Sequence, residues 1–233
     1  MTQIPYSTAL IIGAGSGISA SVARALAAAG VRVALAARNV EKLAALASQI
    51  EAETMAADAT DAASVAALFD AMEGKLGPLE IVLYNAAARL PGAIPDLDPR
   101  DVERVIAAST YAAFLVVQQA ARRMLPRGKG AILLTGASAS VKGYPRSAAF
   151  AMGMFGRRGL AQSAARELSP QGIHVAHFVI DGGVRSEARP APADKPDSML
   201  DPDAIAQTYL GVLRQPRSAW SWEVELRPWV ETF

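Results

Sequence analysis

The chain's strongest constraint is a glycine-rich turn wedged between a strand and a helix. The apolar run Thr8–Ile12 has strand length and stops at Gly13, and an Ala-rich helical pattern begins near Ser19. Between them lie Gly13, Gly15 and Gly17, interleaved with Ala14 and Ser16. Glycine permits positive φ and lets the main chain approach an anion closely. A helix opening after such a turn presents unpaired N–H groups and the positive end of its dipole to that anion. The pattern therefore reads as a pyrophosphate-binding turn, although a tight strand-to-helix turn without ligand uses the same residues. The register G-x-G-x-x-G from Gly13 fails because Ile18 stands at the sixth place. The spacing G-x-x-x-G-x-G fits, with Ser19 in the last glycine's place.

The rest of the chain repeats the strand–helix alternation. Strands are expected at Val31–Ala36, Glu53–Ala57, Leu79–Tyr84, Ala131–Thr135 and Ile173–Ile180. Helices are expected at Ser19–Ala29, Val40–Glu51, Ala62–Met72 with Asp61 as cap, Pro99–Leu125, Ala148–Leu168 and Asp203–Leu213. Trp222–Leu226 alternates as an edge strand does. Residues 185–202 hold Pro190, Pro192, Pro196 and Pro202 among many charges, and read as a mobile substrate-side loop. This order implies right-handed crossovers and one α/β domain over residues 1–233. Its fold is a single Rossmann-type doubly wound parallel β-sheet with helices on both faces.

Composition narrows the function. Of 233 residues 52% are apolar and 19% charged, with a net charge of +1, so a large core is available and no basic stripe marks a nucleic-acid or membrane surface. The absence of Cys excludes disulfides and thiolate chemistry. His174 and His177 flank a strand without an acidic partner at ligand spacing, so no metal site is expected. No signal or membrane helix is apparent at the start of the sequence, and a cytoplasmic protein is the expectation.

The motifs resemble the short-chain dehydrogenase/reductase family over nearly the whole chain. The family's T-G-x-x-x-G-I-G turn is similar to Ile12-Gly13-Ala14-Gly15-Ser16-Gly17-Ile18-Ser19. Its N-N-A-G motif resembles Tyr84-Asn85-Ala86-Ala87, its adenine-side Asp resembles Asp58 followed by Ala59, and its P-G-x-x-x-T turn resembles Asp181-Gly182-Gly183-Val184-Arg185-Ser186. The resemblance implies cofactor contacts from Gly13, Gly15, Ser16, Gly17, Ile18, Asp58, Ala59, Asn85, Ala86, Ala87, Gly182, Val184 and Ser186. The end of the second strand reads Ala36-Ala37-Arg38-Asn39, with no acid for a ribose 2′-hydroxyl. Arg38 suits a 2′-phosphate, unless it is merely solvated there, and NADP(H) is favoured over NAD(H).

The resemblance also locates the catalytic positions. Hydride-transferring members use a Ser that holds the substrate oxygen, a Tyr that moves its proton, a Lys four residues later, and an Asn on the preceding long helix. The Ser aligns with Ser138, the Asn with Ser109, the Tyr with Phe150 and the Lys with Met154. Phe has no proton to give and Met no charge. Loss of a general acid/base costs roughly 10²–10⁴ in rate. Losing the Lys also removes a charge-assisted bond to the ribose, worth about 1.5–3 kcal/mol. Tyr144 is a candidate substitute acid, with a turn residue in Gly143-Tyr144-Pro145 as the plainer reading. Arg157 and Arg158 read as a solvated or subunit-facing edge.

Three readings follow: an NADP(H)-binding relative with ordinary chemistry lost or altered; an active reductase or dehydrogenase of a small carbonyl or alcohol using Ser138 with Tyr144; and a cofactor-free partner subunit. Small residues on the long helices (Ala112, Ala113, Val116, Val117, Ala120; Ala161, Ala164, Ala165) match those that pair between subunits in the family and imply a homodimer or homotetramer, although packing on the sheet would use the same residues. Trp220, Trp222 and Trp229 read as core or interface anchors.

Overall fold

The computed structural model describes residues 3–186 and 189–231. Its seven strands form one wholly parallel sheet in the order β3-β2-β1-β4-β5-β6-β7. The strands are β1 Thr8–Ile12, β2 Arg32–Ala37, β3 Glu53–Ala56, β4 Ile81–Tyr84, β5 Gly130–Thr135, β6 Ile173–Ile180 and β7 Glu223–Leu226. Every residue of β1, β4, β5 and β6 is buried, because helices cover both faces of the sheet.

One face packs against α1 (Ile18–Ala28) and α7 (Pro202–Leu213), with α2 (Ala44–Ile50) beside them. The other face packs against α3 (Ala62–Leu76), α5 (Ala112–Met124) and α6 (Ala148–Leu168). Asp61 caps α3 by accepting from Ser64 N at 2.6 Å. The strand order reverses between β1 and β4, and a crevice opens there at the strands' C-terminal ends, where ligands bind in doubly wound sheets.

Three expectations need correction. The helix expected over Val40–Glu51 is a 3-10 turn, Glu41–Leu43, followed by α2. The helix expected over Pro99–Leu125 runs without a gap through α4 (Pro99–Ile106) and α5, but widens between them into a π-helical turn at Ala107–Tyr111. Two carbonyls of that turn are taken by side chains from elsewhere: Ala108 O by the Tyr84 hydroxyl at 2.5 Å and Ser109 O by Arg157 Nε at 2.7 Å. Side-chain insertion of this kind opens the i→i−4 ladder. His174 and His177 lie inside β6, not beside it, and His177 does have an acidic partner: its Nδ1 is 3.0 Å from Glu223 of β7.

The segment 185–202 is tied at its base, where Arg185 N donates to Leu200 O at 2.9 Å and Leu200 N to Gly183 O at 2.8 Å; residues 187 and 188 of this expected mobile loop lie outside the described residues. Among the described residues no helix is long and apolar enough to cross a membrane.

Candidate functional site

The glycine turn is shaped by contact with the neighbouring strand end. Gly13 has φ +78°, and a β-carbon there would lie 2.4 Å from Ala86 N, so only glycine fits. A β-carbon on Gly15 or Gly17 would meet nothing within 4 Å, so this side of the turn faces open space. Gly17 is the N-cap of α1, and no side chain caps that end, which leaves its N–H groups for an anion. Ser19, in the last glycine's place, has a structural task. Its hydroxyl donates to Gly13 O at 3.1 Å and accepts from Asn85 Nδ2 at 2.7 Å, which latches the turn to the end of β4.

Two adjoining cavities open along the strand ends. The first, about 820 Å³, is lined by Gly13, Ala14, Gly15, Ser16, Arg38, Asn39, Lys42, Asp58, Ala59, Thr60, Ala86 and Ala87, among others. The second, about 660 Å³, is lined by Ile18, Asn85, Ala87, Arg89, Ser138, Tyr144, Phe150, Met154, Arg157, Gly182, Val184 and Arg189, among others. Ala87 borders both, so the two lie side by side.

Most residues singled out from the sequence thus meet in one crevice. Gly17 shapes the turn without lining either cavity. Ser186 lies outside too; its Oγ accepts from Arg189 N at 3.1 Å. Ser109 is fully buried behind α6, and its Oγ has no hydrogen-bond partner among the described residues. A β-carbon on Gly153 would come 2.6 Å from Ser109 Cβ, so α6 and the π turn are in close contact.

The donor set of the first cavity fits a dinucleotide phosphate ester. Arg38, Asn39 and Lys42 gather at the end of β2 with no carboxylate on that strand end. Lys42 escaped the sequence reading, although Arg38-Asn39-x-x-Lys42 places it one helical turn beyond the arginine. Asp58 accepts from Thr60 N at 2.9 Å and Thr60 Oγ1 at 2.7 Å, and those bonds hold its carboxyl below the usual range, with a smaller contribution from Arg38.

The end of the crevice that holds Phe150 and Met154 is organised by Arg157. Arg157 is 1% exposed, not a solvated or subunit-facing edge. It lies on α6 at i+7 from Phe150 and i+3 from Met154, on the same helix face. Its Nε donates to Ser109 O at 2.7 Å, Nη1 to Thr135 O at 2.6 Å and Nη2 to Ala86 O at 2.5 Å. The guanidinium also stacks 4.8 Å from the Tyr84 ring centre. Burial lowers its pKa to about 10, so it remains a cation at neutral pH. The same burial pushes the Tyr84 phenol up to about 12, which keeps it a neutral donor. One buried cation therefore clamps the π turn, the end of β5 and the loop after β4. Arg158 turns away and pairs with Glu223 at 2.7 and 2.8 Å.

The helix faces also need correction. Ala112, Ala113, Val116, Val117, Ala120, Ala161, Ala164 and Ala165 are buried against the sheet within one chain. The outward apolar residues of this region are Tyr111, Phe114, Met152 and Phe155. Trp229 is 81% exposed and is no core anchor, whereas Trp220 stacks on His174 with ring centres 4.5 Å apart.

Comparison with known proteins agrees with this geometry. The model of the short chain dehydrogenase family matches residues 7–195. The D-threitol dehydrogenase of Mycolicibacterium smegmatis is 32% identical over 178 residues, covering 74% of this chain and 68% of that protein. The crystal structure of a short-chain dehydrogenase from Rhodopseudomonas palustris superposes with a TM-score of 0.84 at 37% identity, covering 96% of this chain and 99% of that one. A metagenomic short-chain oxidoreductase in complex with NADP superposes with a TM-score of 0.82 at 28% identity, covering 95% and 97%. The parallel sheet, the glycine turn and these matches together make the chain a member of the short-chain dehydrogenase/reductase family of oxidoreductases.

Proposed function

We propose that this protein binds NADP(H) and that the ordinary Tyr/Lys hydride-transfer chemistry of its family is lost or strongly altered in it. The observation that carries this reading is the lining of the second cavity, where Phe150 and Met154, the residues that align with the family's Tyr and Lys, occur together with Ser138. Bound NADPH supplies a hydride; this chain's residues must then supply the proton, and neither side chain at these positions has one to give. Arg157 keeps the site cationic from one turn further along α6, and each of its three nitrogens donates to a main-chain carbonyl. It holds the site's shape and does not exchange protons near neutral pH.

The preference for NADP(H) over NAD(H) rests on Arg38 and Lys42 in the first cavity. The NADP complex of the metagenomic relative supports the same choice. Binding is to be measured by calorimetric titration with NADPH and NADH, since no tryptophan lines either cavity. NADPH is expected to bind more tightly. If neither binds at millimolar concentration, the proposal fails and the reading as a cofactor-free structural or partner subunit takes its place.

A second reading is favoured by one observation: Tyr144 lines the same cavity as Ser138. Carbonyl reduction in the unaltered protein that disappears in Tyr144→Phe would establish Tyr144 as a substitute acid. Self-association into a homodimer or homotetramer through Tyr111, Phe114, Met152 and Phe155 is part of the proposal, and light scattering on the purified protein tests it.

A further inference from the structure

The second cavity carries more positive charge than a neutral carbonyl ligand calls for. Arg157 contributes a buried cation whose hydrogen bonds go only to carbonyl oxygens. Arg89 and Arg189, both exposed, line the same cavity, and among the described residues neither forms an ion pair. Two acids also line it. Asp181 is already held by Lys142 at 3.0 Å and Arg227 at 3.2 Å, and Glu231 is exposed at the edge.

Arg89 is not placed as a freely solvated side chain would be. Its guanidinium carbon lies 4.6 Å from the centre of the Phe150 ring. The ring at the family's tyrosine position is thus a platform for a cation. A guanidinium fixed on one face keeps its edge free, and that edge matches a carboxylate with two parallel hydrogen bonds. Arg189 lies against Gly183, which also lines the cavity: a β-carbon there would lie 3.2 Å from its Nη2.

We infer that this cavity takes a small ligand bearing a carboxylate, held by Arg89 and Arg189 beside Ser138, with Phe150 aiming the Arg89 guanidinium. The inference rests on the reading of this cavity as the ligand side of the site and adds the ligand's charge class. It also gives the Tyr-to-Phe departure a use: the ring face is retained for the arginine while the hydroxyl is given up.

The test is calorimetric titration with benzoate and with benzamide, which share a ring and differ in charge, in the absence of NADPH and then at saturating NADPH. Benzoate is expected to bind at least about tenfold more tightly than benzamide. Arg89→Met should abolish that difference, Arg89→Lys should restore only part of it, and Arg189→Gln should reduce it. Arg89 is exposed, so these variants are expected to fold, and circular dichroism checks it. Benzoate binding should persist with NADPH bound. Equal binding of the two probes, no benzoate binding at millimolar concentration, equal benzoate affinity in Arg89→Met, or displacement of benzoate by NADPH would each overturn the inference. A failure of NADPH to bind would instead remove the cofactor proposal and leave the Arg89 comparison readable.

Discussion

Arg157 Nε donates to the main-chain carbonyl of Ser109 at 2.7 Å, joining the buried face of α6 to the one π-helical turn among the described residues. In the proposed alignment Ser109 stands at the family's Asn position, and Arg157 follows Met154, at the Lys position, by three residues. A charged group is still present there, fixed to the main chain and set back by one helical turn.

The first prediction concerns stability. Arg157→Met leaves the carbonyls of Ser109, Thr135 and Ala86 without their donor. Each buried unsatisfied group costs about 1–3 kcal/mol. Urea unfolding should show a loss of about 3 kcal/mol or more, with Arg157→Lys recovering only part. A loss below about 1 kcal/mol would mean that water or relaxation replaces the clamp.

The second concerns the cofactor. Arg38→Ala should weaken NADPH binding by about tenfold or more, the scale of one charge-assisted hydrogen bond, while NADH affinity stays put. Lys42→Ala should act in the same direction. Equal weakening for both cofactors would move Arg38 from recognition of the 2′-phosphate to general electrostatics.

The third concerns pH. Burial pushes His177 down to about 4, against the bond and charge of Glu223 that oppose it. Below about pH 6.5 the unfolded chain takes up a proton that native His177 declines until about pH 4, so stability falls by about 1.4 kcal/mol per unit across that window. Stability is full above it. His174, also lowered by burial, adds to the slope. Urea midpoints between about pH 7 and pH 5 should fall, and His177→Gln should flatten the fall. An unchanged slope in that variant would assign the effect to other groups.

The fourth concerns assembly. Phe155→Glu and Phe114→Glu place charges on the outward apolar face of α5 and α6, at side chains that are 45% and 43% exposed. Light scattering should then report monomer where the unaltered protein reports dimer or tetramer. An unaltered protein that is itself monomeric, or a variant that remains associated, would exclude this face as the interface.

The fold was legible because parallel strands buried on both faces leave continuous apolar runs; β1, α6 and β6 have the bounds read from the sequence. The glycine turn was legible for the same local reason. The π turn was not, since the side chain that bonds the Ser109 carbonyl within it comes from far along the chain. The charge of Arg157 points to solvent, but its place in the helical period points inward. Its i+4 and i+7 neighbours, Ala161 and Ala164, are core residues, and that spacing marked it as inward-facing. Arg89 had no such signal: it sits in a loop, and only the folded chain brings it over Phe150.

The central claim is that cofactor binding and proton transfer have come apart in this protein. Its most direct test is the initial rate of NADPH oxidation with a panel of small carbonyl compounds, in the unaltered protein and in Phe150→Tyr combined with Met154→Lys. The restored pair should raise the rate by roughly 10²-fold or more, while each single variant stays near the unaltered protein. Met154 is 2% exposed and shares a helix face with Arg157, so the new lysine meets a neighbouring cation and its variants should also be less stable. Equal turnover in the unaltered protein and the double variant, with both folded and both binding NADPH, would contradict the account.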